Sequence, residues 1–331
     1  VIKKVMGLDK ALYPIYRTKL HIANHNNIIM CGKNNLMAEI SGKPPWLKIR
    51  FRENDRSRRI ASMMNGGLHS VCQGAHCPNR MECWSKGTAT FMVLGSHCTR
   101  NCRFCAVPNS SSPSQPDCDE PIELARSIKR LGLDYAVITS VTRDDLEDGG
   151  ASHFAKCIRK IKKENKGILI EALIPDFNLN GKALSVLASA SPNVISHNIE
   201  TVRRLTPLVR DARAGYEKSL SFLSMIKDID DKIVLKSGIM LGMGETKEEV
   251  VRSMQELRNR GASIITLGQY LRPSEKHFPV ERYVTPDEFS WYESQGYSMG
   301  YRFVASGPLV RSSYRASEPF LGNGKKKKTS R

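Results

Sequence analysis

The 331-residue sequence contains no stretch approaching the eighteen or more consecutive apolar residues that a membrane-spanning helix needs. Its longest apolar runs, 135–138 and 167–170, have the length of strands, so no membrane association is expected. An amino-terminal leader with an apolar core is also lacking, which argues against secretion. Acidic residues are scarce, 33 against 51 Lys and Arg, for a net charge of +18. The excess sits at the ends: residues 1–36 carry six Lys/Arg and one Asp, and residues 325–331 five more bases, which leaves about +8 for the body. Aromatic residues make up only 7%. A nucleic-acid binder typically shows a basic stripe interleaved with aromatics, and the body has none, so no nucleic-acid partner is expected. A moderately basic body suits an acidic protein partner, through electrostatic steering of encounter.

Cysteine is nearly missing outside one window, since six of the nine fall within residues 72–105. A disulfide framework would spread its cysteines along the chain and would require an oxidising compartment. Tight clustering points instead to metal and to a reducing, cytoplasmic setting. Cys31, Cys118 and Cys157 are isolated and are assigned no role. Residues 1–36 show no periodicity and read as a loose or non-native extension, with Met30 or Met37 as alternative starts. A targeting segment is the other reading, although one Arg and one Ser/Thr make a poor transit peptide.

From residue 90 onward a regular alternation appears. Apolar strand candidates at 90–94, 135–141, 168–173, 194–199, 232–241, 264–267 and 303–305 alternate with amphipathic helices at 123–131, 151–163, 182–190, 216–229, 247–260 and 286–299. Continuous apolar strands between such helices imply a parallel sheet covered by helices. A doubly wound sheet and a full or partial barrel both fit, and both place their chemistry at the carboxyl ends of the strands. Residues 43–47, with two prolines, read as an extended arm. The pair Gly242-x-Gly244 lacks the third glycine and the distal acid of a dinucleotide fingerprint, so that reading is rejected.

One cysteine triplet, Cys98-x3-Cys102-x2-Cys105, follows the first strand directly. Three thiolates in one short loop can wrap one face of a four-iron cube and leave the fourth iron free for another ligand. Zinc, with His97 as a fourth ligand, is the rival. The other triplet, Cys72-x4-Cys77-x5-Cys83, lies beside His69, His76 and Trp84 and is the weaker signal; zinc or buried thiols remain alternatives there. Asp144, Asp145 and Asp148 beside Arg143 read as a local salt-bridged turn rather than a site.

The Cys-x3-Cys-x2-Cys loop, with Phe104 before its last cysteine, resembles the signature of radical S-adenosylmethionine (SAM) enzymes. The upstream triplet, together with Arg311-Ser312-Ser313-Tyr314, narrows the resemblance to the lipoyl synthase family. Residues 138–151, His197-Asn198-Ile199-Glu200-Thr201, 236–245 and 267–273 are similar as well, so that the likeness spans roughly residues 43–322.

The resemblance implies a partial (β/α)6 TIM-type barrel with amino- and carboxyl-terminal extensions that carry an auxiliary iron–sulfur cluster. The corresponding segments are 37–88 for the amino-terminal auxiliary-cluster part, 89–306 for the barrel, and 307–331 for the cluster-ligating segment and basic tail. Two [4Fe–4S] clusters and SAM are the implied cofactors. Cys98, Cys102 and Cys105 would hold the cluster that cleaves SAM, and Cys72, Cys77, Cys83 and Ser313 the auxiliary one. Thr139, Ser140, Glu171, Asn198 and Glu200, at or beside expected strand ends, are the candidates for binding SAM; ordinary strand-cap polar residues are the alternative for each. Arg311 is expected to hold the tail by pairing with a carboxylate.

The implied activity is that of a radical SAM sulfurtransferase inserting sulfur at C6 and C8 of a protein-bound octanoyl-lysine. The implied partners are octanoylated lipoyl carrier domains (2-oxoacid dehydrogenase E2 subunits, the glycine cleavage H protein) and a low-potential electron donor. A methylthiotransferase-like radical enzyme and a zinc-binding nucleic-acid protein are the competing functions.

Overall fold

The computed structural model describes residues 42–47, 54–64, 72, 77 and 79–321. The proposed extension 1–36, the alternative start at Met37, Cys31, His69, His76 and the Lys-rich end at 325–331 lie outside the described residues.

Seven strands, β1 (Thr88–Val93), β2 (Tyr135–Ser140), β3 (Leu169–Leu173), β4 (Val194–Ser196), β5 (Val234–Leu241), β6 (Ala262–Gln269) and β7 (Phe303–Gly307), form one sheet in sequence order. All six pairings are parallel. A doubly wound sheet reverses its strand order at a switch point, and this one never does. A parallel sheet that only winds forward is a barrel wall. Because β1 and β7 do not pair, the barrel stays open, with six strand–helix repeats and a seventh closing strand. The wall runs from Thr88 to Gly307, one residue wider at each end than the expected 89–306.

The helices of the described residues are α1 (Asp55–Met64), α2 (Arg80–Ser85), α3 (Glu120–Leu131), α4 (Ala151–Glu164), α5 (Gly181–Ser189), α6 (Thr206–Val209), α7 (Tyr216–Ile229), α8 (Lys247–Asn259), α9 (Pro286–Ser298) and α10 (Glu318–Leu321). Local chemistry explains several ends. Thr246 and Glu249 form a reciprocal capping box on α8, Thr285 caps α9 ahead of Pro286, and Gly132 ends α3 in the left-handed region. The expected arm at 43–47 instead tightens into a 3-10 turn over Pro45–Leu47, closed by the Leu47 N–H on the Pro44 carbonyl. A proline at the first position of a helical turn loses no hydrogen bond. None of these helices is long and apolar enough to cross a membrane.

Alternation along each strand separates two environments. Phe91, Ile138, Ile170, Ile195, Leu235 and Ile265 pack outward against the helices in one large core. Tyr135 and Val137 point the other way, into the barrel, and meet Ala316 and Phe320 of the carboxyl-terminal segment. That segment therefore returns into the barrel as a plug. The register places Thr88, Thr90, Thr139, Glu171, Ser196, Lys236 and Thr266 on this same inner face, so the lumen is polar.

Glu171 and Lys236 are both buried there, joined by bonds of 2.8 and 3.0 Å, and the Tyr135 hydroxyl donates to the same carboxylate at 2.9 Å. Burial, reinforced by the Glu171 charge, pushes the Tyr135 hydroxyl well above its ordinary range, so it remains a donor. A buried pair loses most when only one member is removed. Lys236→Met is expected to destabilise the fold by roughly 3–5 kcal/mol, and adding Glu171→Leu to recover most of it. The shift in the urea unfolding midpoint checks both.

Candidate active site

The chain leaves β1 under constraint. Leu94 adopts a left-handed φ of 68°, its N–H bonded to Glu120 Oε2 at 3.0 Å and its carbonyl accepting from Arg143 Nη1 at 3.0 Å. A non-glycine residue in that region costs about 1–2 kcal/mol, which these two bonds offset. The turn throws the chain across the carboxyl ends of the strands as a loop that closes on itself. The Cys98 N–H donates to the Pro108 carbonyl, and the Ser110 N–H to the Cys98 carbonyl, both at 2.9 Å.

Cys98, Cys102 and Cys105 come together on this loop around a cavity of about 210 Å³. Backbone N–H groups are aimed at their sulfurs: Arg100 and Thr142 at Cys98 (3.4 Å each) and Asp211 at Cys102 (3.3 Å). Such bonds favour thiolate. Burial pushes the other way, raising Cys102 and lifting Cys105 to about 11. Burial thus disfavours the thiolate at Cys102 and Cys105, a cost that a bound metal would offset.

Arg100 pins the loop. Its buried guanidinium makes paired bonds to Asp144 (2.9 and 2.9 Å) and to Asp176 (2.7 and 2.8 Å), which follow β2 and β3. Burial opposes ionisation of Asp176, but the Arg100 bonds outweigh it and hold the carboxyl at about 2. Acid thus withdraws this anchor only as the pH falls from about 4 toward 2, below the ordinary Asp range. Asp144 consequently does not belong to a local turn with Arg143. Arg143 pairs with Asp145, and Asp148 accepts the N–H groups of Gly150 and Ser152.

Of the residues expected to bind SAM, Thr139, Ser140, Asn198 and Glu200 line the cavity. Glu171 does not. It sits mid-strand, where alternation turns it to the lumen and Lys236 takes both its oxygens. Glu200 itself has a left-handed φ of 67°, and burial raises its carboxyl. Among the described residues, Ser140 Oγ, Ser196 Oγ and Asn198 Oδ1 are buried without a hydrogen-bond partner. Orphaned polar atoms of this kind suit a polar ligand.

Arg210 also lines the cavity and was missed in the sequence. It is one of four arginines within 203–213, and nothing in their spacing separates it from the solvated ones. Its Nη1 donates to Ser219 Oγ at 2.9 Å, its Nε has no partner among the described residues, and burial lowers its pKa. Ser219 Oγ lies 2.9 Å from Nε2 of the buried His197, whose Nδ1 lies 2.8 Å from the Ile174 carbonyl. The carbonyl can only accept, so Nδ1 carries the proton and Nε2 receives the serine hydroxyl. Burial holds His197 at about 4, neutral at physiological pH. The relay fixes a cation opposite Glu200 in one small cavity. That is a complement to a zwitterionic amino-acid group.

The second triplet lines a smaller cavity with Thr88, Thr90, Arg311 and Ser313. Ser313 arrives from 230 residues beyond Cys83, on the returning tail, and its Oγ accepts from the Thr90 hydroxyl at 3.0 Å. Further ties fix the tail here: Asn79 to the Leu309 carbonyl, the Thr88 hydroxyl to Ser317 (3.2 Å), the Tyr314 hydroxyl to Glu82 (3.1 Å) and Lys86 to Glu318 (2.9 Å). Burial raises Cys72 and Cys77 and pushes Cys83 up to about 12.

Among the described residues Arg311 has no carboxylate partner, contrary to expectation. Its one hydrogen bond within them goes to the Gln269 carbonyl at 3.4 Å, and burial lowers its pKa while the neighbouring Cys77 opposes this. A half-buried cation facing three thiols suits an anionic occupant, and a cube held by three thiolates and a serine oxygen would be one. Among the described residues no three His, Cys, Asp or Glu stand close enough to share a single ion. His97 turns to Ser96 rather than to the thiols. The Cys98 loop thus fits an iron–sulfur cube better than a zinc ion.

Comparison with known proteins agrees with this chemistry. Residues 92–257 match the Radical SAM superfamily. Lipoyl synthase of Anaeromyxobacter dehalogenans is 52% identical over 280 residues, covering 84% of this chain and 95% of that one. The lipoyl synthase of Thermus thermophilus is 51% identical over 84% of this chain and 87% of its own. The chloroplastic lipoyl synthase of Sorghum bicolor is 50% identical over 85% and 80%. Among solved structures, the FeFe-hydrogenase maturase HydG from Carboxydothermus hydrogenoformans superposes with a TM-score of 0.53 at 13% identity, covering 80% of this chain and 77% of that one. Methylornithine synthase gives 0.50 at 13% identity, over 75% and 81%. These two share the fold alone. By its close relatives, the chain belongs to the lipoyl synthase family of the radical SAM superfamily.

Proposed function

We propose that this protein inserts two sulfur atoms, at C6 and C8, into an octanoyl group held in amide linkage on a lysine of a lipoyl carrier protein. The single observation that carries the reading is the convergence of Cys72, Cys77, Cys83 and Ser313 on one cavity, beside a separate loop bearing Cys98, Cys102 and Cys105. An unactivated C–H bond offers no acid–base handle, so the hard step belongs to a cofactor and the protein supplies position and exclusion. When bound, the cluster on Cys98, Cys102 and Cys105 supplies the electron that cleaves SAM to a 5′-deoxyadenosyl radical. Each C–H broken leaves one 5′-deoxyadenosine, two per lipoyl group formed.

The residues divide that work. Arg210 is placed for the SAM carboxylate, while Asn198, Glu200, Ser140 and Thr139 present polar atoms for its amino group and ribose hydroxyls. Arg100 fixes the loop that carries the thiols. Cys72, Cys77, Cys83 and Ser313 are the ligand set for the auxiliary cluster, which is the sulfur source, and Arg311 balances its negative charge. Ser313 would hold the fourth iron through an oxygen, a harder and more labile ligand than thiolate, and so would be the point at which that cluster opens. Segments 37–88 and 307–331 serve as the two halves of the auxiliary site. The carriers are 2-oxoacid dehydrogenase E2 subunits and the glycine cleavage H protein, a low-potential donor supplies electrons, and the setting is cytoplasmic.

Turnover with an octanoylated carrier peptide, read by mass, should show two added sulfurs. Cys98→Ala should abolish 5′-deoxyadenosine formation, whereas Cys72→Ala should spare it and abolish sulfur addition. Sulfur addition by Cys72→Ala would refute the auxiliary role. Arg210→Gln is expected to weaken SAM binding by about tenfold or more, the loss of one buried charge-assisted hydrogen bond. An unchanged dissociation constant would remove Arg210 from the site.

A further inference from the structure

Asn198 stands between the two sites. It follows β4, is 92% buried by its 8% exposure, and lines the cavity of the Cys98 loop. Its Nδ2 donates to Ser312 Oγ at 2.7 Å. Oδ1, without a partner among the described residues, is left as the acceptor for a ligand. Gly238 of β5 makes this pose possible: a Cβ there would stand 2.8 Å from Asn198 Oδ1 and 2.7 Å from Thr266 Oγ1.

Ser312 immediately precedes Ser313, whose hydroxyl belongs to the other cavity. Adjacent α-carbons are about 3.8 Å apart, so a backbone shift that carries Ser313 away from its cavity also moves Ser312. The Tyr314 N–H closes the segment onto the Arg311 carbonyl at 2.9 Å, making 311–314 one turn rather than a loose strand. One short turn therefore holds a SAM-binding amide with one hydroxyl and enters the three-cysteine cavity with the next.

We propose that Ser312 is a positioning residue that couples the two sites, so that engagement of Ser313 by the auxiliary cluster tightens SAM binding. With Ser313 held, Ser312 fixes the Asn198 amide and Oδ1 is presented ready-made. With Ser313 released, Ser312 withdraws, the amide loses one anchor, and SAM meets an acceptor that it must itself order. Coupling of this kind is reciprocal, so bound SAM also holds the tail on the auxiliary cluster. The consequence is economy: a molecule that has surrendered its sulfur holds SAM about fivefold less tightly, and so cleaves less of it when SAM is limiting. The inference rests on the assignment of the two cluster sites in the proposed function.

The test is equilibrium binding of SAM under anaerobic, non-reducing conditions. It compares the protein carrying both clusters with a Cys72→Ala/Cys77→Ala/Cys83→Ala variant carrying only the cluster on the Cys98 loop. The two-cluster form is expected to bind SAM about fivefold more tightly, the worth of one ordinary hydrogen bond. Ser312→Ala should bring its two-cluster form down to the affinity of the one-cluster form, and Ser312→Thr, which keeps the hydroxyl, should restore most of the difference. A merely structural tail residue would lower both forms alike. Equal affinities in the two forms with native Ser312 overturn the coupling, and need no Ser312 variant to fold. A fivefold difference that survives Ser312→Ala overturns the role of Ser312. Absence of SAM binding in every form overturns the site assignment, and the coupling with it.

Discussion

The returning tail can enter the barrel because β6 offers it no side chain at the point of contact. A Cβ on Gly268 would lie 2.1 Å from the Val310 carbonyl oxygen, a distance backbone cannot accommodate. Everything beyond that contact follows from it. Val310 leads into the turn at 311–314, which sets Arg311 and Ser313 in one cavity and Ser312 against Asn198 of the other. Ala316 and Phe320 then fill the inner face beneath Tyr135 and Val137. The plug covers the apolar part of the lumen at Tyr135 and Val137 that an open barrel would expose to water.

The two sites differ in how their cations are matched. Arg100 is fully paired by two carboxylates and has no charge left to offer, which suits a residue whose task is to hold a loop. Arg210 and Arg311 form no salt bridge within 4.0 Å among the described residues; each is half-buried with carbonyl or hydroxyl partners only. Desolvating a guanidinium without an anion is costly, so such positions persist where an anion arrives with a ligand. One faces the cavity assigned to SAM and the other the cavity assigned to the auxiliary cluster. The thiols follow the same logic, because burial makes them poor thiolates until metal compensates.

Much of this was legible in the sequence, for definite reasons. Every strand of the sheet was anticipated, since each is an apolar run beside an amphipathic helix with a recognisable end such as Gly132 or Thr246. The cysteine triplets were legible from spacing alone. Ser313 was legible only through family resemblance, because nothing local marks a serine 230 residues from its partners. The helices α1, α2, α6 and α10 were not anticipated: α2 has no capping side chain, α6 and α10 are single turns, and Ile60 of α1 and Trp84 of α2 pack into the barrel core. Non-local pairing accounts for the remaining differences. Glu171 was expected at SAM but belongs to Lys236, Asp144 was expected in a turn but belongs to Arg100, and Arg210 gave no signal of its position. For Glu171 and Asp144 the deciding partner lies 44 or more residues away in the chain, where periodicity carries no information; Arg210 is held by Ser219 only nine residues on, but across a change from loop to helix.

The central claim is that one chain builds two distinct iron–sulfur sites, the second completed only by its own tail. Anaerobic reconstitution followed by iron analysis tests it most directly. The account predicts a brown protein with about eight irons per chain, falling to about four when Cys72, Cys77 and Cys83 are replaced and to about four when Cys98, Cys102 and Cys105 are replaced instead. A colourless zinc protein, or an iron content that either set of replacements leaves unchanged, would contradict it.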